Sequence, residues 1–244
     1  MPRRTSLNLS LEAYGRTVDG APLLWLPPQS GELDLLLVAG LHGEEPDTTV
    51  VLSRALRSRD PREIQPNTGA ILCANPDGLS RGTRGNALGI DLNRNFSSAN
   101  WRPEPASCRW HVGDEEGIPI ATGVTSGSEP ETAALQDLIL TWKPKQVLSL
   151  HGPLDCIDDP EASPLGRWLS EKTGSPLVRE IGYPTPGSMG SWAAEQSIPL
   201  ITWEFPIEGI ETLSRRFVPI LEECLCLPHE KLEPGGNHCA SDSG

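Results

Sequence analysis

Two hydrophobic periods alternate along this chain. Largely apolar runs at 33–39, 69–74, 146–150 and 200–205 have the length of strands covered on both faces. APLLWLPP at 21–28 reads as a short strand stopped by its two prolines, and 177–181 as another. Between these runs the spacing turns helical. Residues 48–59 carry Val51, Ala55 and Leu56 on one stripe, with Asp47 placed as N-cap. Leu135, Leu138, Ile139 and Trp142 fall at i, i+3, i+4, i+7 behind Ser128-Glu129-Pro130-Glu131, a capping-box pattern. Ser163-Pro164 opens a helix with Leu165, Trp168 and Leu169, and Gly174 can end it. Further helices are predicted over 188–196 and 211–227, the latter interrupted or kinked near Pro219.

Residues 1–20 read as a polar lead-in, Asn75-Pro76-Asp77-Gly78 as a turn, and 79–127 as one long ordered loop region, a length that in a compact domain usually signals function. Strands alternating with helices predict an α/β fold: a single domain over 1–227 with a mixed, mostly parallel twisted sheet and helices on both faces. The tail, 228–244, has no periodicity and is expected to be mobile. In such sheets ligands gather beyond the carboxyl ends of the strands, where His42, Asn75, His151 and Glu204 all fall.

Composition narrows the function classes. The 244 residues carry a formal net charge of -13, which argues against a nucleic-acid or anionic-membrane surface. Arg81, Arg84 and Arg94 nevertheless form a local basic cluster suited to an anionic substrate group. No run approaches the roughly 18 apolar residues of a membrane span, and no apolar segment follows the two arginines near the start, so a cytoplasmic location is expected. The six cysteines are scattered without a CxxC, which fits packing thiols better than a disulfide framework. A homodimer stays open.

The run 35–47, LLLVAGLHGEEPD, ends a strand in a loop that offers His42 and Glu45 three residues apart. His151 at a distant strand end would complete a set of two His and one Glu around one zinc ion per chain, with water as fourth ligand. A carboxylate must then take the water proton, and Glu204, between Trp203 and Phe205, suits that task. Alone, the His-x-x-Glu spacing is equally that of a capped helix start. Glu45 rather than Glu44 has the ligand spacing. His111, His229 and His238 lack partners at ligand spacing, and Cys156 reads as a buried thiol.

The company of this motif decides its reading. Asn75-Pro76-Asp77-Gly78, then Arg84, then Gly89-Ile90-Asp91-Leu92-Asn93-Arg94-Asn95-Phe96 follow it in order. With His151 and Glu204 these motifs, spread over about 35–206, resemble the zinc metallocarboxypeptidase (carboxypeptidase A-like) family. The resemblance implies that His42, Glu45 and His151 bind zinc and that Glu204 is the catalytic base and acid. It implies that Arg84 stabilises the oxyanion and that Asn93 and Arg94 clamp a terminal carboxylate. Arg81 could substitute for Arg84 in so short a loop.

YPTPGSMGSW at 183–192 resembles that family's substrate-covering loop, with Tyr183 as its mobile tyrosine; the other reading is a turn-rich loop with a core Trp192. Within the family, GSEPET at 127–132, the His-x-Pro-Leu-x-Cys-Ile-x-Asp-Pro segment at 151–160 and the Tyr-x-Thr-Pro-Gly-Ser loop resemble the murein peptide amidase group. That implies hydrolysis of the γ-D-glutamyl–diaminopimelate bond of murein tripeptide. Asp158 or Asp159 would meet the distal ammonium, unless they form a solvated acidic loop. A zinc deacylase of N-acyl amino acids and a non-catalytic peptide-sensing protein are the competing readings.

Overall fold

The computed structural model describes residues 10–108 and 117–228. Its centre is a six-stranded sheet in the order β4-β3-β7-β10-β8-β9, formed by β3 (Leu35–Val38), β4 (Thr68–Ile71), β7 (Gln146–His151), β8 (Cys156–Asp158), β9 (Leu177–Val178) and β10 (Leu200–Glu204). β4, β3, β7 and β10 are mutually parallel; β8 runs antiparallel to β10, and β9 runs parallel to β8. Two antiparallel pairs lie outside the sheet: β1 (Glu12–Arg16) with β2 (Pro22–Trp25), and β5 (Ala106–Cys108) with β6 (Ile118–Ile120).

Period-two alternation sorts the core into two layers. Leu35 and Leu37 of β3, Leu148 and Leu150 of β7, and Ile201 and Trp203 of β10 face one side. There they meet α1 (Pro46–Ser58), α4 (Pro164–Thr173) and α6 (Ile210–Cys226). Leu36, Val38 and Val147 face the other side, against Trp25, Phe96, α3 (Pro130–Trp142) and α5 (Met189–Glu195). The chain is thus a single α/β domain with helices on both faces, as the residue pattern predicts. The first layer is fastened by Phe217 of α6, whose ring centroid lies 5.1 Å from Trp203 and 5.0 Å from Phe205. Each such aromatic pair contributes about 0.5–1.5 kcal/mol beyond its buried area.

Several local expectations are corrected. The polar lead-in holds β1, which packs on α3 so closely that a Cβ at Gly15 would sit 2.6 Å from that of Ala134. Asp47 does not cap α1, because Pro46 takes the first helical position and moves the cap to Glu45. The Asn75-Pro76-Asp77-Gly78 turn is the start of a short helix, α2 (Pro76–Arg81), with the Asn75 side chain accepting from the Gly78 amide. The capping box at Ser128 does not form. Glu129 is the N-cap, its amide donates to Asn95 Oδ1, and Glu131 reaches instead to the Val18 amide and Asn86. The predicted strand over 177–181 keeps only its first two residues, and α6 runs on through Pro219 without a break. The long loop over 79–127 contains the end of α2, a 3-10 turn at Leu92–Arg94 and the small β5–β6 pair. Of the predicted tail and the lone histidines, 229–244 and His111 lie outside the described residues. No disulfide is formed among the five described cysteines, and no described helix is long and apolar enough to cross a membrane.

Candidate metal centre

Four strands deliver their carboxyl ends to one edge of the sheet, and the site is built there. His42 stands in the loop after β3. Its backbone is fixed by Gly43, where any Cβ would collide with the backbone of Gly78 and Leu79 in α2. A glycine is needed for that close approach. Glu45 occupies the N-cap position of α1 yet makes no capping bond; its carboxylate turns to the two histidines instead. His151 closes β7, and Glu204 closes β10 directly opposite it in the parallel register.

The donor atoms converge. Glu45 Oε1 lies 2.7 Å from His42 Nδ1 and Oε2 lies 3.1 Å from His151 Nδ1, while the two Nδ1 atoms are 3.3 Å apart. The three residues are buried, His42 to 3% and His151 to 2% exposure, and they offer ligand atoms all within 4.8 Å of one another. Donors about 2.1 Å from a tetrahedral ion stand roughly 3.4 Å apart, so this set fits one small divalent metal. Among the described residues it is the one such grouping.

Electrostatics agree with that use. Burial and Arg84 oppose a charge on His42, but Glu45 and Asp91 outweigh them and lift the imidazole to about 9. Burial alone would raise the Glu45 carboxyl, and the two histidines hold it far below the usual carboxylate range. Burial also raises the Glu204 carboxyl, with Glu45 adding to it and His151 opposing. The apolar neighbours named from sequence are not the cause: Trp203 and Phe205 point into the opposite core layer.

Asp91 is the residue that sequence reasoning missed. It is 1% exposed, accepts from Arg84 Nε at 2.8 Å, and lies 3.2 Å from His42 Nε2. Arg84 and His42 hold its carboxyl well below the usual range against the effect of burial. A carboxylate behind the outer nitrogen of a metal-ligating histidine fixes the ring's tautomer and orientation. The signal was available: an acidic residue two positions before Asn93 in a basic loop, where a ligand histidine needs such a partner.

The remaining predicted residues separate into those that face the site and those that do not. Arg84 donates from Nη1 to Glu44 at 3.1 Å and lies 3.8 Å from Glu45; among the described residues Nη2 has no hydrogen bond. Arg81 points away, to Asp19 and the Ala87 carbonyl. Asn93 lines the pocket and accepts from the Met189 amide at 2.9 Å, and Arg94 is buried with Nη1 on the Asn93 carbonyl at 2.7 Å. Tyr183 is 52% exposed at the pocket wall, while Trp192 of α5 is core. Asp158 lines the same pocket, but Asp159 is corrected. It is 2% exposed and spends its carboxylate on the amides of Glu161 and Ser163 and on the Ser163 hydroxyl. That pocket, of about 630 Å³, opens beside His151 and Glu204.

Comparison with known proteins places this geometry. Murein peptide amidase A of Escherichia coli (strain K12) is 44% identical over 209 residues, covering 85% of this chain and 86% of that protein. The chain belongs to the murein peptide amidase A family. The crystal structure of murein-tripeptide amidase MpaA from Escherichia coli O157 superposes on 93% of this chain and 97% of its own, at TM-score 0.88 and 43% identity. Carboxypeptidase A from Helicoverpa armigera shares the fold at 18% identity and TM-score 0.61, over 89% of this chain and 64% of that one. Residues 32–112 also match the Succinylglutamate desuccinylase/Aspartoacylase catalytic domain. Membership of the murein peptide amidase family makes this chain a hydrolase acting on peptide bonds.

Proposed function

We propose that this chain is a zinc-dependent murein peptide amidase that hydrolyses the γ-D-glutamyl–diaminopimelate bond of murein tripeptide during cytoplasmic cell-wall peptide recycling. The observation that carries this reading is the juxtaposition of the His42–Glu45–His151 cluster with Glu204, which faces His151 on the adjoining strand end and lines one pocket with it. Zinc held by the three ligands would supply an acidified water and polarise the amide carbonyl.

Glu204 takes the proton of the attacking water and returns it to the leaving amine; its raised pKa suits it to both steps. Arg84, held by Asp91 and Glu44, answers charge developing on the carbonyl oxygen, an effect that in comparable sites contributes about 3–4 kcal/mol. Asp91 holds Arg84 and the His42 ring in place. Asn93 and Arg94 bind the carboxylate beside the scissile bond, the planar guanidinium supplying the fork and the amide a further donor. Tyr183 covers the bound peptide.

The match over 32–112 favours a second reading, a deacylase of N-acyl amino acids. The two separate in one assay. Zinc-loaded protein is given L-Ala-γ-D-Glu-diaminopimelate and N-succinylglutamate side by side. The amidase reading expects kcat/KM for the tripeptide to exceed that for the acyl amino acid by orders of magnitude; the reverse preference overturns it.

A further inference from the structure

The pocket beside Glu204 continues down the face of the sheet, and its floor carries charges that the bond-cleaving step does not use. Glu204 and His151 form one row across β10 and β7. Two residues earlier on each strand stand Thr202 and Ser149, paired in register, and Thr202 pairs across β10 with Asp158 of β8. All three line the pocket. One strand further on, Asp158 is in register with Val178, and Arg179, the next residue, lines the same pocket.

The polar atoms of this second row lack protein partners. Ser149 is 2% exposed and its hydroxyl is unpartnered, and Asp158 Oδ1 is buried without a hydrogen bond. Burial, with Asp159 behind it, raises the Asp158 carboxyl to about 6. It remains mostly charged at neutral pH, without a partner. Arg179 directly follows Val178, the β9 residue in register with Asp158, and carries the opposite charge, yet among the described residues no ion pair joins the two. A buried unpaired carboxylate is costly unless something else answers it.

Spacing says what that something is. Two residues of strand place the second row about 6.6 Å from the first. In an extended diaminopimelate the two carbons bearing amino groups stand about 5 Å apart, from two 1,3 spacings of roughly 2.5 Å. When the scissile nitrogen lies at Glu204, the distal head group therefore reaches the second row.

We propose that Asp158, Ser149 and Arg179 form a zwitterion-reading subsite, in which Asp158 and Ser149 take the distal ammonium and Arg179 takes the distal carboxylate of the leaving amino acid. The proposal rests on the amidase reading above and adds what that reading lacks: a reason to select a diamino dicarboxylic acid over a diamino monocarboxylic acid such as lysine, which has the distal ammonium and no second carboxylate. Glu161 and Glu180 are exposed at the rim of the same pocket. They attract the ammonium and repel a carboxylate everywhere except against Arg179, which gives the subsite its sense of direction.

The test compares zinc-loaded parent, Arg179→Gln and Asp158→Asn on two tripeptides, L-Ala-γ-D-Glu-diaminopimelate and L-Ala-γ-D-Glu-L-lysine. The parent is expected to prefer the diaminopimelate substrate by about 10- to 100-fold in kcat/KM, the range of one charge-assisted hydrogen-bonded contact. Arg179→Gln should lose that preference while cleaving the lysine substrate at the parental rate, which also shows that the variant is folded. Asp158→Asn should lose activity on both. A preference that survives Arg179→Gln overturns the subsite, as does a parent that cleaves both substrates equally; either result leaves the amidase reading standing. A parent that cleaves neither substrate overturns the amidase reading and the subsite with it.

Discussion

Replacing Asp91 by Asn removes one charge and keeps the shape, and the geometry states what should follow. The carboxylate accepts from Arg84 Nε at 2.8 Å and from the Asn93 amide at 2.8 Å, and faces His42 Nε2 at 3.2 Å. An amide offers a single acceptor oxygen, so its NH2 must face either Arg84 or His42, donor against donor. One charge-assisted hydrogen bond is lost, about 1.5–3 kcal/mol of stability. Arg84 keeps Glu44 at 3.1 Å and Glu45 at 3.8 Å, and is drawn toward the latter, a metal ligand. With its outer nitrogen unsupported, His42 should hold metal about 10- to 100-fold more weakly. Asp91 also helps keep His42 protonated up to about 9, so its loss relieves proton competition at neutral pH and masks part of the effect. Zinc affinity should therefore be measured by competition with a chelating indicator at pH 9.5 or above, with urea unfolding of the metal-free protein as the stability readout. An affinity within twofold of the parent would refute the role given to Asp91.

Glu204→Gln should leave zinc binding intact and abolish turnover, and substantial retained turnover would remove Glu204 from the proton-transfer role. Arg94→Ala should lower kcat/KM for substrates with a free carboxylate beside the scissile bond far more than for their amidated forms; equal loss on both would mean the clamp is elsewhere. His42 has a folded pKa of about 9 against about 6.5 when unfolded. Its charged form therefore stabilises the metal-free chain fully below about pH 6.5, by an amount on the order of 3 kcal/mol, and that contribution is lost as pH rises through 9. Metal binding needs the neutral ring, so zinc affinity should climb up to about pH 9 and level off, and a flat profile over pH 6–10 in chelator competition would contradict this.

The sheet and its site were readable where one residue type did one job. Period-two alternation in β3, β7 and β10 assigns both core layers, and the strand-end positions of His42, His151 and Glu204 follow from it. Local signals misled where a side chain was drawn into tertiary contacts. Glu45 fills a cap position without capping because the histidines hold its carboxylate. Ser128 looks like a cap, but Asn95, from a distant loop, satisfies the Glu129 amide. Asp158 and Asp159 are adjacent and alike in sequence. Strand alternation turns one into the pocket, while the other is consumed by the turn before α4. Asp91 was overlooked although its place before Asn93 was legible, because the His42 ring it faces comes from a different loop.

The central claim is that these ligands and Glu204 together cut one amide bond. Zinc-loaded and chelator-stripped protein should each be incubated with L-Ala-γ-D-Glu-diaminopimelate and the products weighed by mass spectrometry. The account predicts free diaminopimelate and L-Ala-γ-D-Glu from the loaded protein, and intact tripeptide from the stripped one. Intact tripeptide in the loaded reaction, or equal release after stripping, would contradict it.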